Sequence, residues 1–146
     1  MTRRGPLDSA IDERGMVTAF VVGVVFALLL AAGLVYDGGA VLAARRAADN
    51  RAATAARAGA QALDVDELYR TGNVQLDAGA AENAARSIVV GKNVVRVDVE
   101  VSDTTVSVVV VQRQDLAMLG AAGVMGPVEV SGRATARLAS GTGAEP

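Results

Sequence analysis

The sequence predicts an α+β protein: a long N-terminal transmembrane helix extended by an Ala-rich helix, then a small antiparallel or mixed three-stranded sheet with short helices. Three observations predict this fold class. Residues 16–36 form an uncharged apolar run, residues 40–63 carry polar side chains at helical spacing, and alternating valines begin near residue 93. The chain therefore divides into a tail (1–15), a transmembrane helix (16–36), its continuation (37–63), an α+β domain (64–139) and a second, disordered tail (140–146).

The first predicted element is the apolar run at residues 16–36, MVTAFVVGVVFALLLAAGLVY. As a helix rising 1.5 Å per residue it is about 31 Å long, which matches the hydrocarbon core of a bilayer. A helix satisfies its own backbone hydrogen bonds and can therefore cross lipid. The alternative, a buried helix of a soluble core, needs a large apolar partner surface that the rest of the chain does not offer.

The flanks of this run predict its orientation. Residues 1–15 are short and polar and are expected to be a disordered cytoplasmic tail. Long C-terminal regions are exported largely regardless of their charge. The short N-terminal tail is therefore expected to decide the orientation of the helix in the membrane. We expect a single-pass protein of the cytoplasmic membrane, with its N-terminus inside and its C-terminal domain extracytoplasmic. The basic residues near the run are balanced, three before it and three after it (Arg3, Arg4, Arg14; Arg45, Arg46, Arg51).

A cleaved signal peptide is the alternative to a permanent anchor. Arg3 and Arg4 would form its charged region, and Ala31-Ala32-Gly33 would supply small residues for cleavage near Gly33. The apolar run is longer than the usual signal core, which favours the anchor.

Small residues mark one face of the predicted helices. A polar stripe at residues 46–61 predicts a second helix over residues 40–63, continuous with the first across Gly38-Gly39, where a kink is expected. Small side chains allow another helix to approach closely. An Ala-rich chain also produces such patterns by chance. The candidate helix-packing residues are Ala19, Gly23, Ala27 and Ala31 in the apolar run, and Ala44, Ala48, Ala55 and Gly59 beyond it.

The segment from Asp64 to Gly79 is predicted to be a connector. Its acidic residues Asp64, Asp66 and Glu67 have no EF-hand spacing, so a solvated turn is preferred to a calcium site. Asp77 is placed to cap a short helix over residues 78–90.

The hydrophobic period then changes to two, which is typical of strands. Residues 93–101 place Val95, Val97, Val99 and Val101 on one face. Residues 106–112 are apolar on both faces, which indicates a central strand, and residues 128–138 form a third. A short helix over residues 115–122 joins the last two strands, which predicts that they run parallel. So small a sheet is expected to lean on the long helix, on copies of itself or on a partner.

No catalytic constellation is present in the sequence. The chain lacks cysteine and histidine, which excludes Cys–His and Ser–His pairs. Asp98 and Glu100 share a strand face, but charges at such positions usually serve solubility. We expect a protein that is not an enzyme, with no cofactor, metal or small-molecule substrate. The net charge of −2 without a basic block argues against nucleic acid.

The frame of the helix carries a family resemblance. Arg14-Gly15 opens the uncharged run, Asp37-Gly38-Gly39 closes it, and Arg45-Arg46-Ala-Ala-Asp49 leads into the Ala-rich helix. Over residues 13–63 the chain resembles the TadE/TadG-like proteins of the Flp pilus-assembly (tight adherence, Tad) system. The resemblance implies a minor pilin or pilin-like structural component of a type IV-related secretion system at the cell surface. Its implied partners are the lipid bilayer, other pilus-assembly or pilin-like membrane proteins, and copies of itself.

The resemblance also implies a processing site between Gly15 and Met16. Prepilin substrates of this kind carry Glu at the fifth mature position, whereas this chain has Phe20 there. This departure favours an uncleaved anchor. Two other functions stay open: a membrane-tethered extracytoplasmic binding module, and a secreted protein released by signal peptidase.

Overall fold

A computed structural model of the protein describes residues 7–138, with the side chains of residues 15–138. The predicted tail at residues 140–146 and the first six residues lie outside this range. The dominant element is helix α1, Leu7–Gly59, which is 53 residues long. It begins nine residues before the apolar run, so the prediction of disorder is wrong for residues 7–15.

Helix α1 passes through Gly38-Gly39 without interruption, as predicted. It ends at Gly59, four residues before the predicted end at Leu63. The chain leaves the helix there because residues 62–64 pair with residues 75–77. Leu63 and Leu76 form a β-bridge, and the Asp77 amide donates to the Ala62 carbonyl at 3.0 Å.

Two short helices follow on the chain. Helix α2, Val65–Thr71, occupies part of the predicted connector and was missed by the sequence pattern. Asp64 is its N-cap, accepting a hydrogen bond from the Glu67 amide at 2.9 Å, so the acidic cluster belongs to a helix start. Helix α3, Ala78–Ile88, is capped by Asp77 as predicted and ends two residues early.

The sheet has three strands in the order β1-β2-β3: Val94–Val101, Thr105–Gln114 and Val128–Arg137. Strand β2 is central, as its apolar faces predicted. Both neighbouring pairs are antiparallel, so the prediction that β2 and β3 run parallel is wrong.

The connection between β2 and β3 explains that error. Its helix α4, Met118–Ala121, has only four residues and is about 6 Å long. A parallel crossover must return along a ten-residue strand, about 33 Å. Helix α4 instead lies at the end of the sheet against α1, and the chain turns straight back into β3.

Strand β1 departs from simple alternation at its start. The register shifts between Val94 and Arg96, and the extra residue places Val95 outside the buried face, with 51% of its surface exposed. Val97, Val99 and Val101 are partly buried against the core, as the period of two predicted.

The core lies between one face of the sheet, α1 and α3. Its helix side is built from alanines of α1 and of the turn directly after it, and its sheet side from valines, all fully or almost fully buried (Ala52, Ala55, Ala56, Ala60; Val106, Val108, Val110). Alanine methyls let the sheet lie very close to the helix axis. The small sheet therefore leans on the long helix, one of the supports expected for it.

We expect Val108→Ala to lower the free energy of unfolding of the sheet by about 2 kcal/mol, because it removes two buried methyl groups and leaves a cavity. Val95→Ala is the matched control, since Val95 lies half exposed at the bulge; its effect should stay below about 0.5 kcal/mol. Amide hydrogen exchange of β2 and β3 in the full chain measures both. Equal effects would contradict the core described here.

Candidate functional site at the junction of helix and sheet

The structure separates the candidate helix-packing residues into two groups. The four in the apolar run are exposed on α1 (Ala19, Gly23, Ala27, Ala31). The four beyond it are buried within the chain itself (Ala44, Ala48, Ala55, Gly59). The second group contacts the protein's own sheet and α3, so it is not free to receive another molecule's helix.

Glycines set the closest approaches at this junction. A Cβ atom placed on Gly132 of β3 would lie 2.2 Å from the Asp49 backbone nitrogen and 2.3 Å from the Ala48 carbonyl carbon. A Cβ placed on Gly59 would lie 2.9 Å from the Ala81 carbonyl oxygen. Any side chain at these glycines would collide with backbone. The two glycines therefore allow α1 to lie directly on β3 at one position and on α3 at the other.

Asp37 joins the end of the apolar run to helix α4. It is buried, with 1% of its surface exposed. Its Oδ1 accepts from the amides of Ala117 at 2.9 Å and Met118 at 3.2 Å, and its Oδ2 from those of Met118 at 3.1 Å and Leu119 at 2.7 Å. Amides at the start of a helix have no intrahelical acceptor, and a carboxylate satisfies them well. One side chain of α1 thus caps a helix about 80 residues later in the chain.

These hydrogen bonds also act on the acidity of Asp37. The bond from the Leu119 amide, supported by those from Met118 and Ala117, lowers the pKa of the carboxyl below its usual value, although burial opposes this. The ionised form is therefore the one that the folded protein prefers.

We expect the stabilising contribution of this carboxylate to be complete above about pH 5 and to be lost as the pH falls below about 4, because the folded-state pKa lies below the unfolded one. The difference in melting temperature between the wild type and Asp37→Asn, followed by circular dichroism in nanodiscs, isolates this residue since other carboxylates cancel. A difference that grew on acidification would have the wrong sign.

Gln112 makes a second polar link to α1, this one from strand β2 of the sheet. It is 4% exposed; its amide nitrogen donates to the Ala44 carbonyl oxygen, and its Oε1 accepts from Arg51 Nη1 at 2.6 Å. A third link is the Arg133 amide, which donates to Asp49 Oδ1 at 3.3 Å. Together these bonds fix the register of the strands along the helix.

The other sequence candidates are placed elsewhere. Asp98 is half exposed and forms an ion pair with Arg96 at 3.1 Å, and Glu100 is exposed beside it on β1. Gly15 and Met16 lie inside α1, and Met16 is 71% exposed. Among the described residues no group of three or more acidic side chains is arranged to hold a metal ion.

Sequence reasoning did not find the roles of Asp37, Gln112 or Gly132. Asp37 was visible as the first charged residue after the apolar run and as part of the Asp37-Gly38-Gly39 motif, with no indication of what it binds. Its partners are backbone amides, which carry no signature in the sequence. A lone glycine within an alternating strand does hint at close backbone approach, and Gly132 is such a position.

The described part of the chain has one helix long and apolar enough to cross a membrane, the segment Gly15–Gly59 of α1. Its most apolar window has a mean hydropathy of 2.6, and 6% of that window is buried by the rest of the chain. A core helix of a soluble protein would be mostly buried, whereas α1 is exposed along its most apolar window.

Comparison with known proteins agrees with this anatomy. The model of the Tad family, TadE/G-like proteins of Flp pilus assembly, matches residues 15–62. Searches of curated proteins and of solved structures found no significant match. The match begins at Gly15, directly before the apolar run, and extends through the end of α1 at Gly59 into the turn that follows. Over this segment, from Gly15 to Ala62, the chain is similar to TadE/G-like proteins of Flp pilus assembly.

Proposed function

We propose that the protein is a membrane-anchored, pilin-like structural component of a Flp/Tad-type pilus-assembly system. In this proposal residues 16–36 cross the cytoplasmic membrane, the N-terminus lies in the cytoplasm, and the sheet lies outside. The observation that carries the proposal is the coincidence of the family match with α1. The matched segment holds both the bare apolar stretch and the surface on which the sheet is built.

The contacts between α1 and the rest of the chain support a structural role in assembly. The buried polar side chains of the described residues are Asp37, which holds α4 to α1, and Gln112, which holds β2 to α1. The anchor is proposed to stay uncleaved because Phe20 occupies the position where related prepilins carry Glu. Its partners are proposed to be the bilayer and other pilus-assembly or pilin-like membrane proteins, including copies of itself.

The mature N-terminus tests the anchor. Mass spectrometry of the protein from membranes and from sheared surface filaments should find the intact start in membranes. A start at Met16 in filaments would make the protein a processed pilin. A start near Leu34 in the medium would show release by signal peptidase and would contradict the anchor.

We expect Gly23→Leu to weaken association with neighbouring membrane helices by about tenfold, because it fills the small face of the span. A Cβ at Gly23 meets nothing within 4 Å, so the fold itself should be unaffected. Val25→Leu, which also places a leucine at an exposed position of α1 but leaves Gly23 unchanged, is the control. Crosslinking in membranes and pilus yield compare the two variants; equal yields would argue against packing through this face.

A further inference from the structure

The connection between β2 and β3 is unusually apolar. Residues 116–128, LAMLGAAGVMGPV, contain no charged side chain and lie between Asp115 and Glu129. We refer to residues 116–126 as the apolar loop. Two of its large side chains, Leu116 and Leu119, are buried. Its other large side chains are about half exposed (Met118 54%, Val124 57%, Met125 50%). Surface connections are normally polar, so this exposure in water would be costly.

The loop is held beside the apolar run of α1. Helix α4 starts on the Asp37 carboxylate, and a Cβ placed on Gly33 would lie 3.2 Å from Met118 Cβ. Gly33 lies about 5 Å along the helix before Tyr36, the end of the apolar run. The loop therefore reaches about one helical turn below the level at which the predicted membrane span ends.

An apolar groove opens between the loop and α1. It is lined by Phe26, Leu29, Leu30 and Gly33 from the helix and by Met118 and Leu119 from the loop. The helix side chains of this groove belong to the bare surface of the span. Whatever covers that surface must also cover the underside of the loop, because the two are continuous.

We propose that the apolar loop is a second membrane contact, inserted at the boundary of headgroups and acyl chains, with lipid acyl chains filling the groove under α4. This inference rests on the proposed membrane anchoring. Interfacial elements commonly insert their apolar face about 5–10 Å into this boundary, which agrees with the depth of Met118 beside Gly33. Asp115 and Glu129, at the two ends of the uncharged stretch, remain at the level of water and headgroups, where carboxylates avoid the cost of entering hydrocarbon.

Single cysteines test this in the full-length chain, which has none of its own. The test variant is Val124→Cys at the exposed part of the loop. Thr104→Cys, in the exposed turn at the far end of the sheet, reports water, and Leu28→Cys reports the span. Each is placed as one copy in nanodiscs of phosphatidylethanolamine and phosphatidylglycerol. Reaction with a membrane-impermeant maleimide is measured, together with quenching of an attached NBD group by lipids carrying a nitroxide high on the acyl chain.

The expected result is that Val124→Cys reacts at least about tenfold more slowly than Thr104→Cys and that its label is quenched by the lipid nitroxide. If Val124→Cys reacts as fast as Thr104→Cys while Leu28→Cys is protected, the loop inference fails and the anchor stands. If Leu28→Cys is itself reactive, the anchor fails. Protection of Val124→Cys that appears only with two copies per disc would mean that a second copy covers the loop and would overturn the assignment to lipid.

Discussion

Gly132→Ala is expected to lower the free energy of unfolding of the sheet by about 3 kcal/mol or more, at the upper end of the cost of overpacking. The added methyl group would lie 2.2 Å from the Asp49 nitrogen and 2.3 Å from the Ala48 carbonyl carbon. Neither atom is the mobile end of a side chain, since both are backbone of a continuous helix. The strand must move away from α1, and the alanine–valine core then separates along its length.

Amide hydrogen exchange in nanodiscs would show this change as faster exchange throughout β2 and β3. The exchange of the α1 residues that precede Asp37 should change little. Gly126→Ala is the matched control because a Cβ there meets nothing within 4 Å; its effect should be within about 0.5 kcal/mol of wild type. If both alanine variants retained wild-type protection, the direct contact of β3 with the helix backbone would be refuted.

Asp37→Ala is expected to free the apolar loop while leaving the sheet on the helix. Removal of the carboxylate leaves the amides of Ala117, Met118 and Leu119 without their acceptor, and unpaired buried donors are costly. These amides should exchange at least about 10-fold faster, and proteolysis should appear within residues 116–126. The β2 amides from Val106 to Val110 should keep their protection.

Two variants make this result specific. Asp98→Ala removes an exposed carboxylate that pairs with Arg96, and little change is expected because exposed ion pairs contribute little. Asp37→Asn keeps one acceptor oxygen and replaces the other with a donor, so its effect should be intermediate. If Asp37→Ala were indistinguishable from Asp98→Ala, Asp37 would not be the cap of α4.

The elements set by local periodicity were predictable, and the relations between them were not. Helix α1 and the three strands follow from residue spacing within short windows, and the apolar character of β2 predicted its central position. The direction of β3 depends on the length of α4 and on the presence of α1 over the sheet face, neither of which a local pattern contains. Helix α2 was not predicted because its seven residues form too few turns to show a hydrophobic period.

The junction shows the same division. The alanine face of α1 was visible as a packing surface, but the sequence left open whether its partner is the chain's own sheet or another helix. Asp37 was visible as a charge at the end of the span, yet its partners are amides about 80 residues away. Backbone partners leave no trace in side-chain spacing, so this contact was inaccessible to sequence reasoning.

The continuity of α1 has a consequence for its neighbours. Gly23 and Ala48 are about seven full helical turns apart, so the small face of the span and the face that carries the sheet have nearly the same azimuth. A helix seated against Gly23 must approach directly beneath the overhanging sheet. A neighbouring helix can reach the small face only if the part of its own chain beside the sheet leaves room for the sheet. Side-chain size is therefore not the sole property that decides which helix fits there.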